Sequence, residues 1–104
     1  MNKHSLIYVT TSDKEEAERI ASRLLEKNLI ACANIFPAHQ AVYRWDGEIK
    51  SESETAMILK TRLIHFKEIE KVIRDMHSYD CPCMISLGVQ EGHIPFLEWI
   101  DSQT

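Results

Sequence analysis

The chain has 104 residues, 44% of them hydrophobic, which predicts a single domain over residues 1–104 built on one core. Its formal net charge is −4, with 12 Lys and Arg scattered among 16 Asp and Glu, so no basic stripe is available for phosphates and nucleic acid is not an expected partner. The first apolar run, Leu6 to Val9, is too short for a signal-peptide core or a membrane span, and three cysteines cannot pair off into a disulfide framework; the expectation is a cytoplasmic chain with reduced thiols and no membrane partner.

Ser5 to Thr10 is β-branched and aromatic enough for a strand, and its apolar centre suits one covered on both faces. Ser12-Asp13-Lys14-Glu15 reads as a capping box with Ser12 as N-cap and Glu15 reaching back to it. Behind it Ala17, Ile20, Ala21, Leu24 and Leu25 form one apolar helical stripe to about Lys27, and Asn28, which tolerates the left-handed conformation, is the expected stop. Leu29 to Phe36 predicts a second strand closed by Pro37; within it Cys32 has no basic neighbour to lower its pKa and reads as a buried structural thiol.

The next run alternates, with Ala41, Tyr43 and Trp45 on one face and Arg44 and Asp46 on the other, until Asp46-Gly47 supplies the residues that a tight hairpin turn demands. The chain returns through Ile49 and the polar run Lys50 to Glu54, where Glu52 and Glu54 have strand spacing but read as a solvated arm. It then enters a strand over Thr55 to Thr61. From about Leu63 to His77 the helical period reappears in Phe66, Ile69, Val72, Ile73 and Met76. Cys83 to Gln90 predicts a last strand, and Pro95 opens a short helix carrying Phe96, Leu97 and Ile100, with Trp99 beside them.

This order, β-α-β-β-α-β with a short C-terminal helix, predicts an α+β fold of the ferredoxin-like kind, an antiparallel sheet with two helices on one face. Little is left to cover the other face, and burying apolar area at about 25 cal/mol per Å2 favours self-association.

Tyr8-Val9-Thr10-Thr11-Ser12-Asp13, the run Leu29 to Pro37, Tyr43 to Ile49, Ile58-Leu59-Lys60-Thr61, His77-Ser78-Tyr79-Asp80 and Phe96-Leu97-Glu98-Trp99 are together similar to the CutA divalent-cation tolerance proteins. The resemblance spans nearly the whole chain in order. It implies a homotrimer like that of the PII signalling proteins, with the central hairpin reaching across to neighbouring subunits, and a role in tolerance to copper and other divalent cations. The His-x-Tyr corner of the family matches His77 and Tyr79, in a region for which metal binding has been proposed; Cys81 and Cys83 depart from the family pattern.

Three groups are candidate sites. His77, Cys81 and Cys83, with Met76 and Met84 nearby, offer thiolate, thioether and imidazole donors suited to copper or another divalent ion. On a regular strand the stems of Cys81 and Cys83 would lie roughly 6.5 to 7 Å apart, against sulfurs at most about 4.6 Å apart on one metal, so side-chain rotation or a bend at Pro82 would have to bring them together. Tyr43, Trp45 and Trp99 are candidate anchors at subunit contacts, with stacking of a planar ligand as the other reading. Arg44, Lys60 and Arg62 are the basic groups for an anionic ligand in a cleft between subunits. No Gly-rich phosphate loop, nucleophile elbow or protease signature is present, so no enzyme is expected and no organic cofactor is implied. A PII-like sensor or scaffold that binds a small ligand is the alternative function.

Overall fold

The computed structural model describes residues 3–104. In chain order it contains β1 (His4–Thr11), α1 (Lys14–Glu26), β2 (Cys32–Ile35), β3 (His39–Trp45), β4 (Glu48–Arg62), a 3-10 turn (Leu63–His65), α2 (Phe66–Met76), β5 (Met84–Gly88) and α3 (Ile94–Gln103). All pairings are antiparallel, in the order β2-β4-β1-β5, with β3 added to the outer part of β4. This is the ferredoxin-like arrangement expected from the element order.

The register fixes what each face carries. Ile7 and Val9 of β1 and Met57 and Leu59 of β4 point to the same side, where Ala17, Ile20, Ala21 and Leu24 of α1 and Ile69 and Ile73 of α2 complete the core. The alternate residues face away from the helices. There Leu6 opposes Lys60 and Leu87, and Tyr8 opposes Ile58 and Ile85. Helix α3 covers one end of this second face: Ile100 is buried, His4 Nε2 lies 2.8 Å from Asp101 Oδ1, and the Lys60 ammonium sits 5.2 Å from the centroid of Phe96. The centre stays open, with Phe36 44%, Ile85 51% and Leu87 53% exposed.

Helix α1 ends as expected but starts one residue later. Asp13, not Ser12, is the N-cap, its side chain accepting from the Glu16 amide at 2.8 Å, while the Glu16 carboxylate accepts from the Ser12 amide at 3.0 Å. The carboxylate that reaches back is therefore that of Glu16, which is buried and accepts from the residue before the N-cap, and not that of Glu15, which faces solvent. At the other end Asn28 has φ of 57°, the Leu29 amide donates to Leu24 and the Asn28 amide to Leu25, the paired bonds of a Schellman motif.

The turn residues Asp46 and Gly47 both have positive φ, 51° and 77°, as a two-residue hairpin loop requires. The polar arm and the apolar strand that follow form one unbroken strand of 15 residues, β4, whose first half pairs only with β3. The chain is consequently elongated, 44 × 26 × 24 Å, with the hairpin projecting from the sheet. Two boundaries are shorter than the sequence pattern: Leu29 and Ile30 are core residues outside β2, and β5 begins at Met84, so neither Cys81 nor Cys83 lies within a strand.

Candidate functional site

The chain leaves α2 at Met76 and reaches β5 through an irregular corner, residues 77–83, which packs against both β1 and the base of the hairpin. Its first half points inward. The His77 ring is fully buried; Nε2 donates to the Thr10 carbonyl at 2.8 Å and Nδ1 accepts from the Tyr79 amide at 3.0 Å. These two partners assign the neutral tautomer that carries its proton on Nε2. Ser78 donates its amide to Glu16 Oε2 at 2.9 Å, so one buried carboxylate ties the start of α1 to the corner. Burial by itself would raise the Glu16 pKa, but hydrogen bonds from Ser12 and Ser78 outweigh it and hold the carboxyl below the usual range.

The second half of the corner opens on a groove of about 510 Å3. One wall is the hairpin face formed by Ala41, Tyr43 and Trp45 of β3 with Lys50, Glu52 and Glu54 of β4; the register sets Ala41 opposite Glu52 and Tyr43 opposite Lys50. The other wall is Tyr79, Asp80, Cys81 and Cys83, and Thr10 forms the end. The Tyr79 hydroxyl donates to Glu54 Oε2 at 2.9 Å and bridges the walls, and the Tyr79 ring packs on His77 with centroids 4.8 Å apart.

Burial, reinforced by Glu54, pushes the Tyr79 phenol well above its ordinary pKa, and the neighbouring Glu52 raises that of Tyr43. Burial also raises the Cys83 thiol; contacts with Thr10 offset this in part, while Glu54 and Cys81 add to it. At neutral pH the groove therefore presents two neutral phenols, a protonated thiol at Cys83 and a carboxylate edge.

The expected metal set is not brought together. His77 spends both ring nitrogens inside the fold, whereas Cys81 is exposed and Cys83 half-buried on the groove. Among the described residues no three His, Cys, Asp or Glu side chains gather closely enough to hold an ion. Within one chain the three basic groups expected at a cleft between subunits do not meet. Arg44 lies on the hairpin face opposite Tyr43 and Trp45, Lys60 covers Phe96, and Arg62 bonds to Thr104 and His65.

Of the candidate anchors, Tyr43 and Trp45 line the groove, with Trp45 49% exposed, while Trp99 stands on α3 beside Phe96, 39% exposed. Cys32 is half-buried, on the sheet face away from α1 and α2, because Ala33 and Ile35 take the inward positions of β2. Glu16 and Glu54 escaped sequence reasoning as site residues. The signal for Glu16 was the same box read one residue on, Asp13 to Glu16; for Glu54 it was the strand spacing with Glu52, which points both toward the Tyr43 face.

A split β-α-β sheet with a projecting hairpin and a groove at its base defines the class of protein to which comparison can be made. Residues 5–103 match the family model described as CutA1 divalent ion tolerance protein, and the chain belongs to that family. It is 48% identical over 98 residues to the divalent-cation tolerance protein CutA of Archaeoglobus fulgidus, covering 94% of this chain and 95% of that one. The chloroplastic protein CutA 1 of rice is 33% identical over 99 residues, 95% of this chain but 56% of the longer rice protein. The crystal structure of the Archaeoglobus protein, there called a periplasmic divalent cation tolerance protein, superposes with a TM-score of 0.94 at 46% identity over 96% of this chain and 97% of that one. Among the described residues no helix is long and apolar enough to cross a membrane.

Proposed function

We propose that the protein serves divalent-cation tolerance as a non-enzymatic homotrimer that binds copper or another divalent ion weakly, at the exposed lip of the groove. What supports the metal reading is that soft donors, Cys81 and Cys83, and hard ones, Glu52, Glu54 and Asp80, line a single opening, although within one chain no three of them gather into a closed ligand set. Such a lip suits open coordination completed by water or by a second copy. It does not use His77, whose nitrogens are committed.

The trimer is supported by the uncovered centre of the sheet, where Phe36, Ile85 and Leu87 expose apolar surface next to the hairpin. Three unbridged cysteines favour a reducing compartment, and we place the protein in the cytoplasm. A PII-like sensor or scaffold is the second reading, favoured by the groove itself, whose volume is that of a small-molecule site.

A competition titration of reduced protein with Cu(I), Cu(II) and Zn(II) against chelators of known affinity tests the metal reading. Thiol-dependent Cu(I) binding that the double variant Cys81→Ser, Cys83→Ser abolishes is expected; affinity indifferent to that change would sink it. For the trimer, light scattering should show smaller species when Trp45→Ala or Leu87→Glu is introduced. An intact trimer in both would mean that the contacts lie elsewhere.

A further inference from the structure

The groove at the hairpin base holds more than metal donors. Three aromatic residues, Tyr43, Trp45 and Tyr79, line it, two carboxylates, Glu52 and Glu54, stand between them, and Lys50 is the lining residue of opposite charge. Aromatic faces attract a cation through the ring quadrupole, and a carboxylate beside them adds charge attraction without demanding coordination geometry. We infer that this groove binds a small organic cation of the alkylammonium class, held by the aromatic walls and the Glu52 and Glu54 carboxylates.

Size, charge and wall chemistry agree on this class. The volume of about 510 Å3 falls in the range of small-ligand pockets. An anion would meet the carboxylates, and a neutral apolar molecule would gain nothing from their charge. Both phenols stay protonated, so the rings remain neutral platforms and the negative charge stays on the carboxylates. Glu54 is placed for this, its side chain only 14% exposed and oriented by the Tyr79 hydroxyl at 2.9 Å. Lys50, directly across the ladder from Tyr43, carries the same kind of head group as the ligand and acts as its internal competitor.

The inference goes beyond the metal reading: the two share Glu52 and Glu54, but an alkylammonium ion offers no vacant site to a thiolate and needs neither Cys81 nor Cys83. It is tested on the assembled full chain, with EDTA present and ionic strength fixed, by titrating tetramethylammonium and, separately, the neutral tert-butanol while following backbone amide shifts. Saturable shifts at Tyr43, Glu52 and Tyr79 with tetramethylammonium and none with tert-butanol are expected. Glu52→Gln, at an exposed position, should weaken binding about fivefold, the loss of roughly one carboxylate–cation attraction at contact in water. Lys50→Gln should strengthen it by a similar factor. Equal response to the neutral probe, an unchanged affinity in both variants, or no saturable shift in wild type and Lys50→Gln alike would overturn the proposal; the last would also be the result if a neighbouring copy fills the groove.

Discussion

His77 to Tyr79 and Cys81 to Cys83 are consecutive parts of one short corner, yet they face opposite environments. In the first part the imidazole bonds to the Thr10 carbonyl and the Tyr79 amide, and the Ser78 amide to Glu16. In the second the side chains line an open groove, with Cys81 exposed. Residue type alone would have ranked the histidine as the best ligand of the stretch. Its surroundings make it a structural connector, because an imidazole with both nitrogens engaged has no lone pair left for a metal.

The contrast makes graded claims about substitution. The largest effect is expected for His77→Ala, which removes a buried ring and leaves the Thr10 carbonyl and the Tyr79 amide without their partner; we expect a loss of about 3 kcal/mol in urea unfolding at fixed protomer concentration. A loss under about 1 kcal/mol would mean that the inward half is as tolerant as the outward one.

Glu16→Gln comes next, at about 2 kcal/mol at pH 7, because an amide cannot supply two charged acceptor oxygens to the Ser12 and Ser78 amides. Glu16 has a folded pKa held below its unfolded one, so its contribution is complete above the ordinary glutamate range, near about 4.3, and is lost as pH falls through the lower folded value. Wild type and variant should therefore converge in stability as the pH drops below that range. A constant gap from pH 7 downwards would show that shape, not charge, is what Glu16 contributes.

The smallest effect belongs to the outward half. Cys81→Ser should change stability by no more than about 0.5 kcal/mol, as for surface positions in general. A loss of 2 kcal/mol or more would place Cys81 within the packed structure and erase the contrast.

Much of the scaffold was legible because local rules and the global fold agree. The apolar stripes of α1 and α2, the left-handed Asn28 and the Asp46-Gly47 turn each require only neighbours within one turn or one hairpin. The N-cap was misread by one residue because Ser12 and Asp13 are both good caps and the box Ser12 to Glu15 is as regular as Asp13 to Glu16. What separates them is that Glu16 has a distant partner, the Ser78 amide. The candidate site was less legible for the same reason. Tyr43, Trp45, Cys81 and Cys83 were each singled out, but their meeting around one groove depends on the long β4 strand carrying the hairpin back over residues 79–83.

The sequence by itself determined the order of elements, the inward faces of both helices and the turns, since periodicity and backbone preference are properties of adjacent residues. Only the tertiary structure decided that His77 is enclosed, that Arg44, Lys60 and Arg62 point to three separate places, and that the exposed arm turns Glu52 and the half-buried Glu54 onto a groove. Those outcomes are set by strand register and by contacts between residues far apart in the chain, about which local pattern carries no information.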